Sequence, residues 1–315
     1  MGNCLSSSKK YKAKSWENAA LELVSGYNEL DEDEKVLPME NEKGSSGFPF
    51  KTNKGHFIKI VMKTRRNTHF KIMMQLKNLA KHCPNETYLL LPQKYVETEN
   101  ALLLHYELCD MDFVKYLNSQ SMPPNIRDKM IWGIINAVKY LHSKNFVHRD
   151  IKLDNILLRN GRPVLCDNDY ASSADEFHIK GTKEYLPHGK VLNHLFNVRQ
   201  DISTSTKNKF VDCYALGKTI TQFLIQENVK KDKRFVKPSI IKIWEDWLFV
   251  KQGSIQTLNI DEEDLKVHTK WWEVVLQLCK YNERKVFTKG KFYLINDIKS
   301  FSGHVTRRLE PAAVE

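Results

Sequence analysis

One run of residues constrains this chain more than any other: His148-Arg149-Asp150-Ile151-Lys152-Leu153-Asp154-Asn155, set between Val147 and Ile156-Leu157-Leu158. An Asp is followed two residues later by a Lys and five residues later by an Asn. That spacing places a carboxylate, a cation and an amide on a single loop. Upstream, residues 126–142 read as a strong helix, with Met130, Ile131, Ile134, Ile135, Val138 and Leu141 along one stripe. Downstream, the apolar Val164-Leu165 precedes Cys166-Asp167-Asn168-Asp169. A strand there could fix Asp167 as a ligand for a hard cation.

Size and composition set the class. The 315 residues allow one to two domains. A hydrophobic fraction of 41% with 28% charged residues is that of a soluble globular chain, long enough to bury a core without metal or disulfide staples. The net charge of +11 favours anionic partners without choosing among them. The lysines are spread out, with short clusters only at 9–14 and 230–234. No aromatic-rich basic stripe or zinc-finger spacing is present, so no nucleic acid is expected as a partner. Cys4, Cys83, Cys109, Cys166, Cys213 and Cys279 form no C-x-x-C pair and read as isolated thiols of a reducing compartment. The first 25 residues lack the apolar region of a secretory signal, and no apolar run is long enough for a membrane span.

Along the chain, residues 57–62 read as a strand, 70–79 as a helix and 102–107 as a buried strand. Further apolar helical segments are expected at 213–224, 240–250 and 271–278. Trp244, Trp247, Trp271 and Trp272 fit a helical core better than a binding platform. The order is a small strand-rich part followed by a larger helical one, with a break near Cys109 and Asp110.

Residues 148–155 resemble the catalytic loop of eukaryotic-type Ser/Thr protein kinases, H-R-D-x-x-x-x-N, at full spacing. Tyr140-Leu141-His142-Ser143, just upstream, is kinase-like as well. The resemblance implies an α+β, bilobal kinase fold with a small β-rich N-lobe and a larger helical C-lobe. The corresponding division is a tail at 1–40, an N-lobe at 41–109, a C-lobe at 110–300 and a second tail at 301–315. ATP and Mg2+ are the implied cofactors, and a protein hydroxyl is the implied substrate. Asp150 would orient the substrate hydroxyl, Lys152 would neutralise the transferred phosphate, and Asn155 and Asp167 would hold the metal.

Other segments carry the resemblance further. Ile60-Val61-Met62-Lys63 is similar to V-A-I-K, so Lys63 would pair with the ATP phosphates and Val61 would line the adenine pocket. Gly44 and Gly47 match the last two glycines of a degenerate glycine-rich loop; a plain turn fits that fragment equally well. Tyr106 takes the gatekeeper place, the backbone from Glu107 to Cys109 the adenine edge, and Asp112 the ribose. Gly181-Thr182-Lys183-Glu184-Tyr185-Leu186-Pro187 is similar to the substrate-seating segment, in which Thr182 bonds the catalytic Asp and Lys. Val211-Asp212-Cys213-Tyr214-Ala215-Leu216-Gly217 resembles D-V-W-S-L-G, with Asp212 opening a buried helix and holding the catalytic-loop backbone. Ser172 and Ser173 are either phosphosites facing Arg149 or ordinary loop serines.

The chain also departs from the family. Asn168 and Asp169 stand where Phe and Gly are usual. An apolar contact is expected to be lost at Asn168 and backbone freedom at Asp169; a solvated side chain is the expectation for Asp169, with a further metal ligand as the alternative. No Glu appears between Lys63 and Asn85 to pair with Lys63; Gln75 offers at most a neutral hydrogen bond. Pro187-His188-Gly189 replaces A-P-E, whose Glu normally pairs with a late Arg, so that tether is expected to be missing, with only Arg284 or Lys285 nearby. These departures keep open a rival, a pseudokinase that uses the fold to grip a partner.

The chain opens Met1-Gly2-Asn3-Cys4-Leu5-Ser6, which fits a myristoylation pattern at Gly2. One myristoyl chain binds membranes marginally, so a second signal is needed. Cys4 could carry a palmitoyl group, and Lys9, Lys10, Lys12 and Lys14 could add attraction to an anionic leaflet. The expectation is a peripheral protein on the cytosolic face of a membrane, in a eukaryotic cell or acting inside one.

Overall fold

The computed structural model describes residue 24 and residues 34–39, 48–62, 88–98, 101–119, 122–187, 189–198 and 200–231. Gly2, Cys4, Gly44, Gly47, Lys63, the helix expected at 70–79 with Gln75, and the segments at 240–250 and 271–278 lie outside the described residues, as do Arg284 and Lys285. The protein divides into two compact units. One comprises Met1–Pro84 and Leu90–Cys109, the other Asn85–Leu89 and Asp110–Glu315.

The first unit holds a five-stranded antiparallel sheet of β1 (Val36–Pro38), β2 (Phe48–Thr52), β3 (His56–Met62), β4 (Lys94–Glu97) and β5 (Ala101–Glu107), in the order β1-β2-β3-β5-β4. The strands expected at 57–62 and 102–107 are β3 and β5, each one residue longer at its start. Residues of β5 from Ala101 to Tyr106 are buried on both faces, which is why Leu102-Leu103-Leu104 runs apolar without alternation. One face packs Phe50, Ile58, Ile60, Ala101 and Leu103 with Val24. The register sets Val61 against Leu102 and Phe57 against Tyr106 on the other face. The turn from β2 to β3 needs Gly55, whose φ of 81° is left-handed. Asn53 in that turn ties down the chain ahead of β1: its Oδ1 accepts from the Lys35 N–H at 2.7 Å, and its own N–H donates to the Lys35 carbonyl at 3.1 Å.

The second unit contains α1 (Phe113–Ser119), α2 (Pro124–Ser143), α3 (Gly189–Asn193) and α4 (Thr204–Lys231). It also holds a sheet of β6 (Met111–Asp112), β8 (Ile156–Arg159) and β9 (Arg162–Leu165), and a pair of β7 (Phe146–Val147) with β10 (Ser172–Ser173). Helix α2 starts on Pro124, where a missing N–H costs nothing. It ends where Asn145 turns left-handed at φ 59°. Its expected stripe, Met130, Ile131, Ile134, Ile135, Val138 and Leu141, is buried throughout. Helix α4 covers the segment expected at 213–224 but begins at Thr204. Asp212 therefore sits inside this helix and does not open it, because the polar Thr204-Ser205-Thr206 already starts the first turn. Phe223 of α4 packs edge-on against Phe113 of α1, with ring centroids 5.2 Å apart. Among the described residues, no helix is long and apolar enough to cross a membrane.

Candidate active site

The loop at 148–155 is held from within the core by one carboxylate. Asp212 of α4 is buried, and it accepts the His148 N–H on Oδ2 at 2.7 Å and the Arg149 N–H on Oδ1 at 2.8 Å. His142, at the end of α2, brings Nε2 to 3.1 Å from Oδ2. Burial alone would raise the Asp212 carboxyl. The hydrogen bond and charge of His142, with the His148 N–H, outweigh burial and hold it below its ordinary value. The loop bends over this anchor with Arg149 left-handed at φ 71°, a strained conformation for such a residue. His148 reaches on to the next strand: its Nδ1 accepts the Asp150 N–H at 3.3 Å, and Nε2 donates to the Cys166 carbonyl at 3.0 Å.

Asp150, Lys152 and Asn155, grouped by the sequence pattern, meet in space. Asn155 Nδ2 donates to the Asp150 carbonyl at 2.8 Å and to Asp150 Oδ2 at 3.0 Å. Lys152 Nζ lies 2.9 Å from the same Oδ2. Oδ1 accepts Thr182 Oγ1–H at 2.6 Å and the Thr182 N–H at 2.9 Å. Lys152 Nζ closes the ring by donating to Thr182 Oγ1 at 2.9 Å. Burial pushes the Asp150 carboxyl up, but the bonds from Thr182 and the bond and charge of Lys152 prevail and hold it below the ordinary carboxylate value. Gly181 makes the approach of Thr182 possible. Its φ is 129°, and a Cβ there would stand 2.2 Å from the Arg149 carbonyl oxygen.

Asp167 follows β9 and is itself left-handed, at φ 58° and ψ 58°. The chain then enters a 3-10 turn, Asn168–Tyr170, with Asn168 and Asp169 both buried. The solvated side chain expected at Asp169 is thus corrected. The left-handed bend at Asp167 sends the next two residues inward. The positive φ also falls on Asp167 and not on Asp169, so the missing glycine strains nothing at 169. Asn155 fits a hard cation. Both bonds of its side chain come from Nδ2, which leaves the amide oxygen, the better ligand, turned away from Asp150. Asp167 is partly exposed and offers a carboxylate.

Val61, Glu107 and Cys109 belong to the first unit: Val61 is buried in β3, Glu107 ends β5, and Cys109 is the last residue before the division. Asp112 has a structural role that the pattern did not reveal. Its Oδ1 accepts the N–H groups of Val114 at 2.7 Å and Lys115 at 3.1 Å, so it caps α1, and its other oxygen takes no part in the cap.

The segment at 172–187 is anchored by Arg149 of the 148–155 loop and by residues of α4 that no motif marked. Arg149 Nε donates to Ser172 Oγ at 2.7 Å, Nη2 to the Glu176 carbonyl at 2.8 Å and Nη1 to the His178 carbonyl. Asn208 of α4 donates to the carbonyls of Ala174 and Glu176, each at 2.8 Å. Ser172 is buried in these bonds, while Ser173 is half-buried. The altered end of the segment is also tied down. The Tyr185 hydroxyl donates to Gln222 Oε1, and Lys218 Nζ to the Glu184 carbonyl, both on α4.

A family model described as the protein kinase domain matches residues 46–288. The chain belongs to that family. Among relatives, a "Probable serine/threonine-protein kinase" of Encephalitozoon cuniculi is 30% identical over 92 residues, 29% of this chain and 18% of the relative. A mitogen-activated protein kinase kinase of Aspergillus fumigatus is 34% identical over 79 residues, 24% of this chain and 16% of the relative. The sporulation-specific mitogen-activated protein kinase of Saccharomyces cerevisiae is 26% identical over 171 residues, 51% of this chain and 44% of the relative. The matched stretches thus span less than half the length of these curated relatives. Family membership accounts for the two units, one β-rich and one largely helical, and for the loop at 148–155. The cap at Asp112 and the anchors Asn208, Gln222 and Lys218 are read from this chain alone. No sequence signal singles out Asn208, which stands between Lys207 and Lys209 in a helix with many polar residues.

Proposed function

We propose that this protein is a Ser/Thr protein kinase that moves the γ-phosphoryl group of ATP to protein hydroxyls at a membrane surface. The observation that carries the reading is the closed ring of Asp150, Lys152 and Thr182, with Asn155 seated on the same carboxylate. A substrate hydroxyl would take over one of the bonds to Asp150, attack the γ-phosphorus and pass its proton to that carboxylate as the bond to the ADP oxygen breaks. A carboxylate held below its ordinary value is a weak base. Asp150 therefore orients the hydroxyl and accepts its proton late. Lys152 is placed to move its charge from Asp150 to the transferred group. Bound Mg2+ would neutralise phosphate charge; Asn155 and Asp167 are the residues to hold it. Lys63, Gly44 and Gly47 are assigned to the phosphates, and Val61, Glu107, Cys109 and Asp112 to the nucleoside, by resemblance alone.

The rival is a pseudokinase scaffold, favoured by Asn168, Asp169 and the absence of a Glu between Lys63 and Asn85. A scaffold has no chemical need for the Asp150 ring, and the bonds of Tyr185 and Lys218 supply the anchoring that the altered A-P-E end lacks. Radiolabelled phosphate transfer from ATP and Mg2+ to the protein itself and to generic basic and acidic substrates tests the reading. Transfer by the wild type that Asp150→Ala and Asp167→Ala both lose is the expected result. No transfer with any divalent metal would leave the scaffold. Membrane attachment through Gly2 and Cys4 predicts that Gly2→Ala moves the protein from the membrane to the soluble fraction; a variant still membrane-bound would remove the lipid from the account.

A further inference from the structure

The apolar face of the first sheet ends in an unlike group. Beyond Ile58 and Leu103, the next positions on that face are His56 of β3 and His105 of β5. The register pairs Ile58 with His105 and His56 with Glu107, so the two histidines are diagonal neighbours on one face. Their rings lie 4.4 Å apart, inclined at 50°. Glu34, just ahead of β1, completes the group with Oε1 2.7 Å from His56 Nδ1. The Glu34 side chain is only 3% exposed, and His105 is 5% exposed. One donor atom from each of the three residues lies within 4.8 Å of the other two.

Core formation does not account for this group. Apolar residues at 56 and 105 would extend the cluster of Ile58, Ile60 and Leu103, and a buried carboxylate is costly to desolvate. Two imidazoles and a carboxylate make up the ligand set of divalent cations that prefer nitrogen, Zn2+ foremost. Hard cations such as Mg2+ favour oxygen-only sites, so this set differs in kind from Asn155 and Asp167. Zn2+ bond lengths of about 2.0–2.1 Å put tetrahedral donors roughly 3.4 Å apart, which small side-chain rotations reach from the present spread. Two of the ligands stand on adjacent paired strands, and the third is positioned by the Asn53 bonds to Lys35. His56, with a side chain 31% exposed, leaves a route for entry and for a water as fourth ligand.

We infer that Glu34, His56 and His105 form a Zn2+ site that clips the chain ahead of β1 to strands β3 and β5. The site stands on the face opposite Val61 and Tyr106, with Glu107, assigned to the nucleoside by resemblance, paired beside His56. An ion bound there by the folded chain alone stabilises it by an amount that rises with the logarithm of its free concentration once the site is filled.

The test uses the full chain, stripped with a chelator and titrated with Co2+ while visible absorption is followed, then displaced with Zn2+. Melting is compared in Zn2+ and in EDTA. Glu34→Gln and His56→Asn are the main variants, because one is isosteric and the other lies at a partly exposed position; His105→Asn accompanies them. The expected result is one equivalent of Co2+ with the visible bands of a low-coordinate nitrogen-containing site, displaced by Zn2+, and a melting temperature that rises with Zn2+. Each variant should weaken Zn2+ binding at least about tenfold and lose the rise in melting, with little change in the metal-free melting of Glu34→Gln. Equal uptake and equal stabilisation in wild type and in both main variants would place the metal elsewhere and overturn the assignment. No saturable binding by the wild type would overturn it as well, and would reduce the group to a hydrogen-bonded cluster.

Discussion

The loop at 148–155 rests on one buried carboxylate, whereas the segment at 172–187 hangs from several separate anchors. Asp212 takes two backbone N–H groups of the loop and the His142 imidazole, all within the core. The segment is held by Arg149, Asn208, Tyr185 and Lys218, each bonding to carbonyls or to neutral side chains. The loop's geometry is therefore concentrated in one charge, and the segment's is shared. Concentration suits groups that must keep fixed positions for chemistry; sharing suits a surface that receives a substrate chain. The two meet where Arg149 bonds Ser172, Glu176 and His178 and where Thr182 reaches Asp150 and Lys152, so the reacting constellation is as good as the weaker support allows.

The largest effect is expected from Asp212→Ala. It leaves His142 and two buried N–H groups without their acceptor, which costs about 3–5 kcal/mol. The urea midpoint should fall sharply, and phosphate transfer with it. The same anchor gives a pH signature. Its folded-state carboxyl lies below its ordinary value of 3.8, so the stabilisation is complete above that value and is lost as pH falls through the folded one. Acid unfolding of the wild type should be steeper than that of Asp212→Asn. A flat comparison would mean that the loop is not hung on this charge.

Next comes Gly181→Ala. The new methyl would meet the Arg149 carbonyl oxygen at 2.2 Å, in a backbone conformation that disfavours any side chain. A local cost of about 1–3 kcal/mol is expected, absorbed by withdrawing Thr182 from Asp150. Transfer should drop far more than stability does. Equal losses of both would show that the segment's support is not local. Asn208→Ala should cost less, about 1–2 kcal/mol for two bonds, one to the buried Ala174 carbonyl and one to the carbonyl of the exposed Glu176, with the remaining anchors keeping the segment in place. Protease sensitivity around Glu176 is the readout. A loss as large as that of Asp212→Ala would erase the contrast between the two regions.

This contrast is half legible in the sequence. The loop is, because Asp150, Lys152 and Asn155 lie so close in the chain that one turn brings them together. Thr182 and Asp212 are legible through their motifs, and α2 and β5 through period and length. The anchors of the segment are not. Asn208 and Gln222 are two among many polar residues on helix α4, and a solvated polar residue leaves the same mark. The burial of Asp169 follows from the left-handed bend at Asp167, a backbone choice that composition does not announce. Glu34, His56 and His105 come from three segments with no shared spacing, so only the strand register brings them together. The resemblance gives Asp112 a ligand role, yet a short acidic side chain just before a helix fits a cap equally well.

The smallest effect belongs to Tyr185→Phe, and it tests sharing most finely. The ring is buried and stays so in the variant; only the hydroxyl that donates to Gln222 is removed. Burial, then the nearby charge of Asp154, pushes that hydroxyl up to about 12, so it remains a donor at every working pH. Gln222 is half-buried and can turn to water, so the net loss should be about 0.5–1.5 kcal/mol with no pH dependence below about pH 10. With Lys218 still bonded to the Glu184 carbonyl, transfer to the protein itself should be unchanged, and transfer to an added protein substrate should fall by a factor of a few, seen in KM and not in kcat. If kcat collapsed instead, Tyr185 would be holding Thr182 against Asp150, and the segment would depend on a single anchor as the loop does.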